Sequence, residues 1–173
     1  MGKVRKRQPV KLIIGFIFKE ESSLKKAQVL LKKNFGKTDF ESSTLAFTHT
    51  DYYEPEFGKP LKRKFISFKE LIPAGGLAKI KALTNAIENE LAHDERRTIN
   101  IDPGYLDLAK LILASTKDYR HRIYLDKGIY AEITLFYQNK TFQPWEWTFL
   151  DYRTKDYIVI FNQIRAIYYR QIR

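Results

Sequence analysis

The densest polar stretch away from the chain ends is Ser115-Thr116-Lys117-Asp118-Tyr119-Arg120-His121-Arg122. Two hydroxyls, four side chains that are or can become cationic, and the amides of a loop are the groups that cradle phosphate; Arg can grip it through two parallel hydrogen bonds. Ser115, Thr116, Lys117, Arg120 and Arg122, with Tyr124 just beyond them, are therefore the candidate ligand and phosphate contacts. A solvated, charge-rich turn is the plainer alternative. His49, Asp51 and Glu54 fall within six residues and offer imidazole and oxygen ligands for a divalent ion, or a base oriented by a carboxylate. Asp102, in Asn100-Ile101-Asp102-Pro103-Gly104-Tyr105, could add an acid/base group or a metal ligand from another strand end, although Asp before Pro also starts ordinary turns. His49, Asp51, Asp102 and His121 are the candidate catalytic set, expected to converge with Arg122 on one cleft. The identity of any metal stays open.

Other motifs carry less. Gly36-Lys37-Thr38 looks like the end of a phosphate-binding P-loop, but the required earlier glycine is Leu31, and the tripeptide ends a predicted helix instead of starting one. Gly75-Gly76 precedes a helix and reads as a loop and helix start. Pro144-Trp145-Glu146-Trp147 could stack on a base, with aromatic packing of the last helix as the alternative.

The elements that must position these groups follow from periodicity. Residues 10–18 are apolar on both alternating faces, as in a central strand. Leu24, Ala27, Leu31 and Phe35 recur at helical spacing, predicting a helix over about 23–35 with Ser22 or Ser23 as cap and Gly36 as stop. Two strands, around 44–49 and 63–68, are joined by a long connection. Leu77, Ile80, Leu83, Ile87 and Leu91 predict a second helix, and 98–101 a short strand that Asp102-Pro103 turns off. The order strand, helix, strand, strand, helix, strand is the ferredoxin-like βαββαβ pattern of an α+β protein, two helices on one antiparallel sheet. Beyond it come a short turn and strand before residue 115, a hairpin around Asp126-Lys127-Gly128, and an amphipathic C-terminal helix with Thr154 as cap.

Composition bounds the rest. At 173 residues the chain is one domain, divided here into a basic, flexible arm (1–9) and an α+β body (10–173). Cysteine is absent, which excludes disulfides, thiolate catalysis and zinc fingers. No apolar run approaches a membrane span and no signal peptide is evident, so a cytoplasmic protein without a membrane partner is expected. Of the +11 net charge, five cations lie in residues 1–11 and three in 157–173, both stretches free of acids. Lys62, Arg63 and Lys64 belong to a second basic cluster, opposed by Glu88, Glu90, Asp94 and Glu95.

Thr48 to Glu54, Gly58, Asn100 to Tyr105, Leu113 to Tyr124 and Gly128 to Glu132 together resemble an uncharacterised prokaryotic family of the domain-of-unknown-function series, number four-four-one-six. The resemblance spans nearly the whole chain and implies a single-domain protein; it supplies site positions, not a mechanism. Some similar members carry a GTP-binding label, which the missing P-loop argues against. A weaker similarity is to two-histidine phosphoesterases, but His49 and His121 are followed two residues later by Asp51 and Ile123, not by Ser or Thr. The function expected is binding, with or without processing, of a phosphate-containing ligand such as a nucleotide or an RNA end. The alternative is a non-catalytic RNA-binding or ribonucleoprotein-associated module that uses the basic tail.

Overall fold

The computed structural model describes residues 2–173. Strand β1 (Val10–Phe18) is buried along its whole length. Helix α1 (Glu21–Phe35) starts two residues earlier than its apolar spacing suggests, with Glu20 in the cap position and no side-chain cap bond from Ser22 or Ser23. Gly36, at φ 81°, ends it by returning its amide to the Lys32 carbonyl at 2.9 Å.

The strand expected over 44–49 is replaced by two short ones, β2 (Thr38–Glu41) and β3 (Leu45–Ala46), followed by the single turn of α2 (Glu54–Phe57). Strand β4 (Lys62–Ile72) pairs with both short strands and with β1. One 3-10 turn at Ala74–Gly76 leads into α3 (Leu77–Glu90). Then come β5 (Ile99–Leu106), β6 (Lys110–Ser115), β7 (Ile123–Asp126), β8 (Ile129–Gln138), β9 (Thr141–Pro144) and helix α4 (Lys155–Gln171). Lys127 and Gly128, both at positive φ, make the β7–β8 turn. Thr154 does occupy the α4 cap position, but its hydroxyl is turned back to the Asp151 carbonyl.

The result is an α+β fold with one nine-stranded open sheet in the order β2-β4-β1-β5-β6-β8-β7, β3 beside β4 and β9 beside β8, every pairing antiparallel. The two-faced apolar pattern of β1 explains its central place. Leu12, Ile14, Phe16 and Phe18 pack with Leu24 and Leu31 of α1 and Ile80 and Ile87 of α3. On the other face Ile13, with Phe65 of β4, joins Tyr157, Phe161 and Ile164 of α4. Among the described residues, no helix is long and apolar enough to cross a membrane.

The sheet forks at its middle. β5 does not turn off at Asp102: it stays paired with β1 from Ile99 to Leu106. It meets β6 only at Gly104, Tyr105 and Leu106. Past that point Ala114 and Ser115 follow β8, so β5 and β6 part. Gly104 is the crotch of the fork, since a Cβ there would lie 2.4 Å from the Ile112 carbonyl oxygen and only glycine admits so close a ladder. Pro103 stands just past the last β5–β6 pair, where β1 alone flanks β5.

Candidate functional site

The fork opens into a cavity of about 850 Å³. Asn100 and Asp102, two apart on β5 and so on one face, form one wall; Ala114, Ser115, Thr116 and Lys117 form the other. Helix α3 supplies Lys81 and Glu88, and the segment before α4 covers the space with Phe149 to Tyr152.

At the floor, Arg63 of β4 is fully buried. It donates to Asp102 Oδ2 at 3.2 Å and to the Tyr152 hydroxyl at 2.6 Å, and lies 3.9 Å from Asp151. The Phe65 and Tyr152 rings flank its guanidinium, 4.8 and 5.2 Å from their centroids. Burial works against this charge, but Tyr152, Tyr157, Asp102 and Asp151 hold its pKa above the ordinary arginine value. Burial also pushes the Asp151 carboxyl up, partly offset by Arg63, and carries the Tyr152 phenol well above its usual range.

Beside this group, Lys81 donates to the Ile101 carbonyl at 3.0 Å and stands 4.0 Å from Asp102. Glu88 accepts from the Ile101 amide at 2.6 Å and from Arg97 at 3.1 Å; burial raises its pKa against the pull of Lys81. Arg97 also grips both oxygens of Glu56, at 2.8 and 2.6 Å, and donates to Asn100 Oδ1 at 3.1 Å. That last bond fixes the amide orientation of Asn100 and leaves its buried Nδ2 without an acceptor among the described residues; the Nε of Arg63 is likewise unpaired among them.

Arg97 pulls Glu56 below its ordinary value of 4.5, so this carboxylate stabilises the fold above about pH 4.5 and ceases to as pH falls through its lowered folded value. Glu56→Gln should therefore cost up to about 1 kcal/mol at neutral pH, the pair being partly exposed. Urea midpoints of mutant and wild type should draw together as pH falls below 4.5; a constant gap across that fall would show that the charge is not the cause.

On the opposite wall Glu132, buried on β8, accepts from Arg122 Nε at 2.8 Å and lies 3.2 Å from His121 Nε2. Thr134, on the same face of β8, is buried as well. Arg122 also donates to Ser115 Oγ at 3.2 Å and to the Lys117 carbonyl at 2.8 Å. Lys117 reaches across the mouth to the Tyr52 hydroxyl at 2.8 Å, which lowers the Tyr52 pKa. Lys117 has no carboxylate partner among the described residues.

Of the residues singled out from sequence, His49, Asp102, Ser115, Thr116, Lys117 and Arg122 line the cavity. Asp51, Arg120, His121 and Tyr124 do not; His121 stacks on Trp147 behind the wall and touches the site only through Glu132. His49, Asp51 and Glu54 do not gather as ion ligands: among the described residues no three His, Asp or Glu side chains come together for a metal, and Glu54 pairs with Lys59 at 3.0 Å. Trp145 and Trp147 stack on each other, not on α4, and Trp147 donates to the Ile133 carbonyl at 3.1 Å. The Lys62–Lys64 group is not a free basic patch, because Arg63 points inward, Lys62 pairs with Glu21 and Lys64 with Glu41.

Arg63, Lys81, Glu88, Arg97, Asn100, Glu132 and Asp151 were not singled out as site residues from sequence. A signal existed for part of this set: Lys81, Thr84 and Glu88 recur at spacings of three and four beside the apolar stripe of α3. No curated protein and no solved structure matches the chain. A family pattern does match, over residues 8–168, and the chain belongs to that family, described as domain of unknown function (DUF4416).

Proposed function

We propose that the fork cavity binds a small phosphate-containing ligand of the nucleotide class. The observation that carries this reading is the pair of buried donors, Arg63 Nε and Asn100 Nδ2, which find no acceptor among the described residues and belong to two residues that line one cavity with the carboxylate-free Lys117. An unpaired buried donor costs about 1–3 kcal/mol, which a ligand acceptor would recover. Lys117 with the hydroxyls of Ser115 and Thr116 suits a phosphate at the mouth, and Phe47, Tyr52 and Phe149 offer flat apolar surface for a ring. A volume of about 850 Å³ suits a ligand of that size. Acid–base processing of the ligand would fall to His49 and Asp102. A ferredoxin-like reading of the first half belongs to the same proposal; it is supported by the run β2-β4-β1-β5 with α1 and α3 on one face.

Thermal melting with AMP, ATP, GTP, adenosine and inorganic phosphate tests the site. A phosphorylated compound at a hundred times its Kd adds about 2.7 kcal/mol, a rise of roughly 5–10 °C for a chain of this size. Lys117→Ala should remove most of that rise while leaving the unliganded Tm unchanged. No shift with any nucleotide, or an equal shift in the variant, would overturn the reading.

A further inference from the structure

The +11 charge is not spread over the surface. Lys3, Arg5 and Lys6 lie on the exposed arm, which is tied down by Arg7 to Asp107 at 2.6 Å and by the Tyr168 hydroxyl to the Pro9 carbonyl at 2.8 Å. That second bond sets the arm beside the end of α4, where Arg170 and Arg173 are exposed. Gln171 joins the same helix end to β4 by donating to the Lys69 carbonyl at 2.8 Å, and the Lys69 amide in turn donates to the Lys37 carbonyl at 2.9 Å. Lys37 follows the exposed Lys32 and Lys33 in the last turn of α1.

Four separate stretches of chain thus bring nine exposed cations to the end of the sheet where β1 begins. None of the nine forms an ion pair among the described residues. The acids nearby are mostly engaged: Asp107 by Arg7 and Lys110, Asp39 by Lys11 and Ser67, leaving Glu70 exposed. The fork cavity lies at the other end, since Phe18 pairs with Ile99 there while Lys11 pairs with Leu106 here. Glu90 at the end of α3, and Asp94 and Glu95 beyond it, are exposed close to that far end.

We propose that this basic pole seats on the phosphate backbone of a nucleic acid, independently of the cavity. Nine like charges held together repel one another, and a polyanion relieves that repulsion while releasing its own counterions. A membrane surface fits less well. Among the described residues, the large exposed apolar side chains near the pole are Val4, Tyr169 and, one turn before Lys32 and Lys33, Val29, too few for an inserting face. Tyr169 is instead capped by the Arg173 guanidinium 4.3 Å from its ring, a pairing that can stack on a base.

The test uses the full chain with a labelled single-stranded RNA of about 20 nucleotides and a DNA duplex as probes. With about five phosphate contacts, single-strand affinity should fall roughly 100-fold between 50 and 200 mM salt. The variant Lys32→Glu/Lys33→Glu/Lys69→Glu changes only exposed, unpaired groups outside the arm. It should keep the wild-type melt and any nucleotide-induced rise, yet bind RNA at least 10-fold more weakly with a shallower salt slope. Wild-type RNA affinity in that variant, all binding lost on deleting residues 2–7 alone, equal loss in Lys117→Ala, or capture by anionic vesicles without RNA binding would each overturn the proposal.

Discussion

An Ile14→Asp protein is expected not to accumulate as soluble, folded material. Ile14 has no exposed surface, is paired in the ladder with Ile66 and Pro103, and packs in the core shared by α1 and α3. The side chains it packs with in that cluster are apolar, so the carboxylate would have to be buried unpaired or protonated. Either costs several kcal/mol, on the order of the entire stability of about 5–15 kcal/mol. Ile14→Val, which removes one methyl group, should cost only about 0.5–1.5 kcal/mol and retain a cooperative melt. Soluble expression of the Asp variant with a sharp thermal transition would show that this face of β1 is not the centre of the fold.

Arg63→Ala should destabilise by about 3–5 kcal/mol, because it leaves the Asp151 carboxyl in the floor of the cavity without its cation and Asp102 with only the more distant Lys81. The flanking Phe65 and Tyr152 rings lose their contact as well. For a chain of this length that corresponds to a fall in Tm of roughly 6–20 °C. Arg63→Met with Asp102→Asn should recover part of the loss by removing one uncompensated charge, and a double-mutant cycle in urea would measure the coupling. A single variant melting within about 2 °C of wild type would mean that the arginine is solvated and does not anchor the floor.

The elements legible in the sequence are those whose pattern is dictated by burial on a known side. β1 is apolar on both faces because helices cover both. α1, α3 and α4 carry stripes at helical spacing, and Lys127-Gly128 has the backbone freedom a tight hairpin needs. The errors share a different cause. Pro103-Gly104 reads as a turn because those residues usually break pairing, whereas here they permit a strand with an unpaired flank and one very close neighbour. β2, β3 and β9 run for four residues or fewer and draw their pairing from β4 and β8, so nothing local marks them. For the cavity, loop residues such as Lys117 stand out as a polar cluster, while Arg63 reads as one member of the basic Lys62–Lys64 run and Asn100 is a lone polar side chain inside a strand. Arg63's partners Asp102 and Tyr152 lie 39 and 89 positions away, and only the fold identifies them.

The two-faced packing of β1 also bears on the order in which the chain is made. Leu12, Ile14 and Phe16 can be covered as soon as α1 and α3 exist, within the first 90 residues. Ile13 and Phe65, with Leu111, Leu113 and Leu135 added later, wait for Tyr157, Phe161 and Ile164. During synthesis, then, one side of the growing sheet stays uncovered until α4 has been translated. An apolar sheet face held open for that long is a target for premature association, and α4 acts as the closing step that ends the exposure.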